Sequence, residues 1–98
     1  MTRLAAFAAA LLMATPVAAQ DKETMCEKTA DIVGKAVTSR ADGAAAEATV
    51  KAVTGTIGDT DARYRPAVQP IVDWVYTLPE EVLGDAVEVS YKEQCLAQ

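Results

Sequence analysis

The chain contains no histidine, one tryptophan, one phenylalanine, three tyrosines and two cysteines. Without histidine it has no side chain whose ordinary pKa lies near neutral pH, and no imidazole to activate a nucleophile or bind zinc. Carboxylates are the remaining acid–base groups, and Asp73, Asp85 and Glu88 are typical of solvated helix surfaces. We therefore predict that the protein is not an enzyme, that it has no catalytic residues, and that it uses neither a metal nor another cofactor.

Basic side chains are also few. Nine Lys and Arg stand against fourteen Asp and Glu, so the net charge is −5 at pH 7. Such a chain repels nucleic-acid phosphates and anionic lipid headgroups, and it has no basic patch that would release counterions. We predict no nucleic-acid partner and, since the acidic residues are spread along the chain, a solvated surface.

Long apolar runs are confined to the N-terminus. Residues 4–13 are apolar and follow Arg3, but ten residues are too few for a bilayer, which needs about 20. Pro16 follows, and small residues lead up to Ala19, as at a signal-peptide cleavage site. We therefore predict a signal peptide over residues 1–19.

Cleavage is expected after Ala19 or after the neighbouring Gln20. The rest of the chain, residues 20–98, is short enough to form a single domain. This predicts a periplasmic or secreted protein that has no membrane insertion after cleavage.

The two cysteines, Cys26 and Cys95, lie near opposite ends of that domain. Export would place them where disulfides persist, and two cysteines allow a single intramolecular pairing. The closed loop would stabilise the fold by about 4 kcal/mol. The alternatives are an intermolecular bridge, a redox pair or metal ligands, but a redox pair usually has C-x-x-C spacing and zinc needs four ligands. We predict a structural disulfide.

Apolar residues recur at three- and four-residue spacings along four segments, which predicts four amphipathic helices. The first covers about residues 23–41 and is expected to stop at Gly43. The second covers about residues 44–54 and the third about residues 62–76. The predicted fold is all-α: a small four-helix domain closed by one disulfide between the first and last helices.

The third and fourth segments carry additional local signals. Pro70 inside the third predicts a kink or a late start. Residues 71–76 are rich in strand-forming types, so a strand is the alternative there. Thr77 and Glu80 match a capping box, which predicts that the fourth helix begins beside them. Its apolar stripe then recurs every four residues at Leu83, Val87, Tyr91 and Cys95.

Four residues are candidates for contact with a partner. Trp74 and Tyr76 are two positions apart and cannot both point inward on a helix, so one is expected to be exposed as an aromatic anchor. The alternative is that these rings belong to the core. Arg63 and Arg65 flank a tyrosine and are candidates for an anion or partner contact, the alternative being a solvated helix start.

The layout resembles small secreted helical proteins of proteobacteria whose function is unknown. The matching features are a cysteine early in the first helix, Arg40 with Gly43 at its end, Tyr76 before a short break, and Tyr91 four residues before the last cysteine. In size and class the chain is also similar to HdeA-type periplasmic chaperones. These resemblances imply a helical single-disulfide fold and no site.

With no catalytic or cofactor motif, the sequence favours a non-enzymatic factor that binds another periplasmic protein in an accessory or stress role. One alternative is an acid-activated chaperone, whose carboxylates neutralise at low pH so that the domain loosens. A toxin-immunity protein and a small-ligand carrier are further alternatives. The oligomeric state does not follow from the sequence.

Overall fold

The computed structural model describes the backbone of residues 2–98 and the side chains of residues 21–98. No strand occurs between residues 2 and 98, so residues 71–76 are not a strand and the all-α prediction is confirmed. The four α-helices are α1 (Thr2–Ala41), α2 (Ala46–Gly55), α3 (Val68–Val75) and α4 (Asp85–Ala97). Two 3₁₀ helices, Asp59–Ala67 and Glu80–Val82, precede α3 and α4.

The predicted signal peptide, residues 1–19, and its cleavage site lie outside the part of the chain whose side chains the structure describes. Among the described residues, no helix combines the length and the apolar character needed to cross a membrane.

The core lies between one face of α1 and the short helix α3, with contributions from α2 and the first 3₁₀ helix. Side chains at helical spacing on α1 and α3 meet there, as the amphipathic pattern requires. A fully buried valine contributes about 1.5–3 kcal/mol, so these residues provide most of the packing energy of a small domain. They are Ile32, Val33, Ala36, Val37, Val53, Tyr64, Val68, Ile71, Val72 and Val75.

The end of α1 follows the predicted stop. Gly43 has a φ of +90°, a conformation open to glycine at little cost, and its amide donates to the carbonyl of Arg40. The amide of Ala44 donates to the carbonyl of Ser39, which closes the last turn. The chain then reverses, and α2 begins at Ala46 and packs against α1.

The prolines of the third segment produce a late start of the α-helix. Pro66 lies in the 3₁₀ helix, and the α-helix begins only at Val68. Pro70 is therefore the third residue of α3, where a backbone amide has no partner inside the helix and its loss costs nothing. The late start predicted from these prolines is confirmed.

The predicted capping box at Thr77 is wrong. The Thr77 hydroxyl donates backward to the carbonyl of Trp74 at 2.6 Å and so closes the end of α3. Glu80–Val82 form only one 3₁₀ turn, which has no side-chain cap. Leu83 is extended (ψ 115°) and packs against the core, and α4 begins two residues later at Asp85.

One disulfide joins the first and last helices, as predicted. Cys26 of α1 is fully buried and is bonded to Cys95 of α4, with 5.7 Å between their Cα atoms. In contrast to α1 and α3, α4 has no fully buried residue, and Val87 and Tyr91 are its partly buried contacts with the core. The bridge therefore covalently fixes a helix that lies along α1 without burying any residue fully.

Candidate protein-binding groove

An open groove of about 260 Å³ runs between the end of α3, the turn after it, and α4. We call it the Trp74 groove. Most of its lining is apolar, and the polar side chains in it are neutral. The lining residues are Trp74, Leu78, Val82, Ala86, Val87, Ser90, Tyr91 and Gln94.

The aromatic floor of the groove follows from the register of α3. Ile71, Val72 and Val75 of this eight-residue helix are buried, and that leaves Trp74 at the edge of its apolar face. The Trp74 side chain is 41% exposed. Its ring lies 6.1 Å from that of Tyr91, at an angle of 43°. These two rings give the groove a wide apolar surface that no described residue covers.

The far wall comes from the break before α4. Because the chain is extended at Leu83 and does not continue as a helix, Val82 stays on the surface and is 48% exposed. Large apolar side chains clustered at a concave surface mark interaction sites more often than scattered ones do. Val82 and Trp74 belong to such a cluster.

Two neutral polar side chains, Ser90 and Gln94, also line the groove. They are able to donate hydrogen bonds to a peptide or accept them from it, but neither is an acid or base of the kind that catalysis at neutral pH requires. Among the described residues, no group of three or more potential metal-ligating side chains occurs. The groove is equipped to hold an apolar side chain and a few polar contacts.

Acidic residues outnumber basic ones in the part of the chain that forms the groove. Residues 66–98 contain six acidic residues and a single base, Lys92, whereas residues 20–65 contain eight acidic and seven basic residues. Lys92 itself pairs with Glu27 of α1 at 3.7 Å and does not line the groove. The acidic residues are spread along the chain as expected, but the basic residues are not, and a count over this window of the sequence finds the asymmetry.

Tyr76 does not join Trp74. Its hydroxyl donates to the carbonyl of Ala44 at 2.6 Å, so its only proton is used. Thr49, which is buried, must therefore donate to the Tyr76 oxygen, 2.8 Å away. Arg40 lies over the Tyr76 ring, 5.7 Å from its centroid, and donates to the carbonyl of Val75. This polar cluster joins α1, α2 and the end of α3.

The two arginine candidates lie on the first 3₁₀ helix and do not line the groove. Arg63 stacks over the ring of Tyr64 and donates to its hydroxyl at 2.9 Å. Arg65 donates to the carbonyl of Ile57 and pairs with Asp59 at 3.2 Å. Of the four predicted contact residues, the structure thus brings only Trp74 to the groove, and a role for any of them in binding stays a prediction.

Sequence reasoning missed most of the groove. Tyr91 was expected on a buried stripe, yet it is only half-buried and faces Trp74. Leu78 and Val82 lie in the irregular connection between α3 and α4, where helical spacing in the sequence does not report which side chains are exposed. Their exposure depends on where α4 begins, which the sequence pattern placed too early.

Comparison with known proteins identified no relatives of this chain. No protein-family model matches it, and neither does any curated protein sequence or solved structure.

Proposed function

We propose that this chain is a non-enzymatic exported protein that binds another protein in the periplasm through the Trp74 groove. The exposed indole of Trp74, which lies beside the tilted ring of Tyr91 in an apolar groove, is the observation that carries the proposal. Tryptophan and tyrosine are enriched among the residues that dominate binding energy at protein interfaces. The neighbouring valine and alanine side chains would exclude water around such an anchor.

A protein partner fits the dimensions of the groove better than a small ligand does. Small-molecule sites are clefts of about 300–1,000 Å³ that bury most of the ligand. The Trp74 groove, at about 260 Å³, is smaller and is open to solvent. It suits one or two side chains of a larger partner better than a whole small ligand.

The periplasmic location is supported by the predicted signal peptide of residues 1–19 and by the Cys26–Cys95 disulfide. Disulfides persist in oxidising compartments and are rare in the cytosol. An accessory or stress factor and a toxin-immunity protein would both use the same kind of surface. They differ in the partner, which the experiment below is designed to identify.

The test uses tagged disulfide-bonded protein as bait in a periplasmic extract, in four forms: wild type, Trp74→Ala, Val82→Ala and Val89→Ala. Val82 lies in the groove, whereas Val89 has a similar exposure on α4 but lies outside it, so the two valines are a matched pair. A partner that binds wild type and Val89→Ala, but is lost with Trp74→Ala and reduced with Val82→Ala, supports the proposal. Circular dichroism checks that each variant is folded.

The proposal fails if Trp74→Ala captures the same partner as wild type with equal affinity, or if no partner is found under any growth condition tested. Removing a central aromatic anchor typically costs 2 kcal/mol or more, roughly a thirtyfold loss of affinity. Titration of the purified partner against the variants would resolve such a loss.

The acid-activated chaperone is a second candidate, and it is supported by the ion pairs that join α1 to other elements. Lys28 pairs with Asp61 of the first 3₁₀ helix, and Glu27 pairs with Lys92 of α4. Both pairs require an ionised carboxylate, so acid would remove them. The pairs are exposed and contribute little individually, so this candidate ranks below partner binding.

A further inference from the structure

Four acidic residues lie next to or between lining residues of the Trp74 groove in the sequence, and we call them the rim. Asp73 precedes Trp74 on α3, Glu80 and Glu81 lie in the turn between two lining residues, and Glu93 precedes Gln94 on α4. All four are exposed. No ion pair reaches any of them from the residues whose side chains the structure describes, and Asp73 accepts a hydrogen bond only from the neutral Gln69. The residues beside the apolar lining therefore carry four negative charges, and no ion pair among the described side chains neutralises them.

We propose that the groove binds a cationic amphipathic segment of the partner protein, a segment that inserts one or two large apolar side chains and places Lys or Arg over the rim. This rests on the proposed function and names the chemistry of the partner. Complementary charge at an interface rim steers association and excludes partners of the wrong sign. An apolar anchor between basic residues matches both the floor and the rim of the groove.

A second copy of the chain fits this surface poorly. Residues 66–98, which form the groove, carry a net charge of −5, so face-to-face packing of two copies would bring like charges together. An acidic peptide is disfavoured for the same reason. The lipid headgroups that are common at membrane surfaces are either neutral overall or anionic. They therefore have no net positive charge that would complement the acidic residues.

The test is a titration of the purified, disulfide-bonded protein with fluorescein-labelled 14-residue helical peptides. The first peptide has a leucine face and lysines elsewhere. The second keeps the lysines and replaces every leucine by serine, and the third keeps the leucines and replaces every lysine by glutamate. Fluorescence anisotropy gives the affinity, and the emission of Trp74, the sole tryptophan of the chain, shows whether the groove is occupied.

We expect saturable binding of the leucine–lysine peptide alone, with a blue shift of Trp74 emission. Because the rim charges are exposed, raising the salt concentration from 0.05 to 0.5 M should weaken the affinity about tenfold. Glu80→Gln/Glu81→Gln should weaken it roughly three- to tenfold. Glu23→Gln/Glu47→Gln, which removes the same charge from exposed sites on α1 and α2, should leave it within about twofold.

Four results would overturn the inference. If the leucine–glutamate peptide binds equally well, the rim does not select charge, although the groove would still be a binding site. If both double variants weaken binding equally, the peptide responds to the net charge of the protein and not to the position of Glu80 and Glu81. If the peptide-free protein is a dimer that Trp74→Ala dissociates, a second copy occupies the groove. If instead Trp74→Ala leaves peptide affinity unchanged, the groove is not the site, and the proposed function fails with the inference.

Discussion

Thr49 is the one buried polar side chain among residues 21–98, and its burial depends on Tyr76. A buried hydroxyl without a partner costs free energy, whereas here the Thr49 hydroxyl donates to the Tyr76 oxygen and the Tyr76 hydroxyl donates to the backbone of Ala44. This chain of two hydrogen bonds connects α2, the loop before it, and the end of α3. It holds in place the end of the helix that carries Trp74.

Tyr76→Phe should therefore destabilise the fold by about 1–3 kcal/mol, because it leaves both the Thr49 hydroxyl and the Ala44 carbonyl without their partners. Urea unfolding followed by circular dichroism measures the change. Tyr64→Phe is the control: it removes a hydroxyl bonded to the exposed Arg63, which water can replace, so the loss should be smaller. Equal losses in the two variants would contradict the role given to the Thr49–Tyr76 pair.

Lys28 has its pKa raised above the ordinary 10.5, first by the hydrogen bond to Asp61 and then by the charge of that carboxylate. Because the lysine pKa is higher in the folded state, the Lys28–Asp61 pair contributes its full stabilisation at pH values below the unfolded-state pKa. That stabilisation is lost as the pH rises through the folded-state pKa. Stability should thus fall above about pH 10.5 by more in wild type than in Asp61→Asn. Unfolding at pH 7 and at about pH 11.5, compared between the two proteins, measures this difference. If the free energy of unfolding falls by the same amount in wild type and in Asp61→Asn, the Lys28–Asp61 pair is not the source of the pH dependence.

Gly34 shows a close approach that the sequence pattern did not indicate. The carboxylate of Glu88 on α4 lies against α1 where a Cβ at Gly34 would stand. A glycine inside a helix costs about 0.5–1 kcal/mol relative to alanine, so its presence here needs a packing reason. The contact lets α4 lie close to α1 between the disulfide and the start of α4.

Helix α4 forms one wall of the Trp74 groove and packs along α1. None of its residues is fully buried, and its attachments are the disulfide at Cys95, the partly buried Val87 and Tyr91, and the exposed Lys92–Glu27 pair. Helix α3 is different, because four of its eight residues are buried in the core. The groove therefore depends on one helix with a buried face, α3, and on another, α4, that has no fully buried residue.

Removing the bridge with Cys26→Ala/Cys95→Ala should lower the free energy of unfolding by about 4 kcal/mol, since 69 residues separate the two cysteines. The emission of Trp74 should also shift to the red, because Tyr91 and the rest of α4 would move away from it. Thermal unfolding and tryptophan fluorescence of native and reduced wild type test the same point without mutation. An unchanged melting temperature, or a dimer that separates only on reduction, would contradict the structural role of the bridge.

Because the surface is acidic, low pH is the condition that should loosen the whole domain most readily. Residues 20–98 carry fourteen carboxylates and eight basic side chains, so protonation near pH 4 changes the net charge from −6 towards about +8. Self-repulsion then increases, and the ion pairs between α1 and its neighbours are lost.

If the acid-activated alternative is right, the protein should expose apolar surface at about pH 2–3 and suppress the light scattering of an aggregation-prone periplasmic protein on acidification. The disulfide-free variant, which should open further, is the comparison. A domain that stays folded in acid, or that loosens without reducing the scattering, would rule out the chaperone.

Export is tested by the mass of the native protein purified from cells. The chain is expected to begin at Gln20 or Asp21, as the small residues before them predict. Intact-mass spectrometry distinguishes both from the full chain. A protein that retains residues 1–19 would contradict the signal-peptide prediction and the periplasmic location that depends on it.

Much of this fold could be predicted from local signals in the sequence. The three- and four-residue spacing of Val33, Ala36 and Val37 predicted the core face of α1, Gly43 predicted its end, and Pro70 predicted the late start of α3. Pairing of the two cysteines followed from their number. The spacing, glycine and proline signals act between residues that are close together in the sequence, and two cysteines can form a single intramolecular disulfide. None of these signals depends on how distant segments pack.

The groove, in contrast, was decided by packing between segments far apart in the sequence. The Thr77 hydroxyl can bond either forward, as a cap for the next helix, or backward, to the carbonyl of Trp74. It bonds backward, while Leu83, five residues further on, packs in extended form against the core contributed by α1 and α3. That choice moved the start of α4, left Val82 exposed and brought Tyr91 beside Trp74. The partly buried Leu83 packs against the assembled core in the arrangement that creates the groove, and such a contact between distant segments cannot be predicted from local spacing.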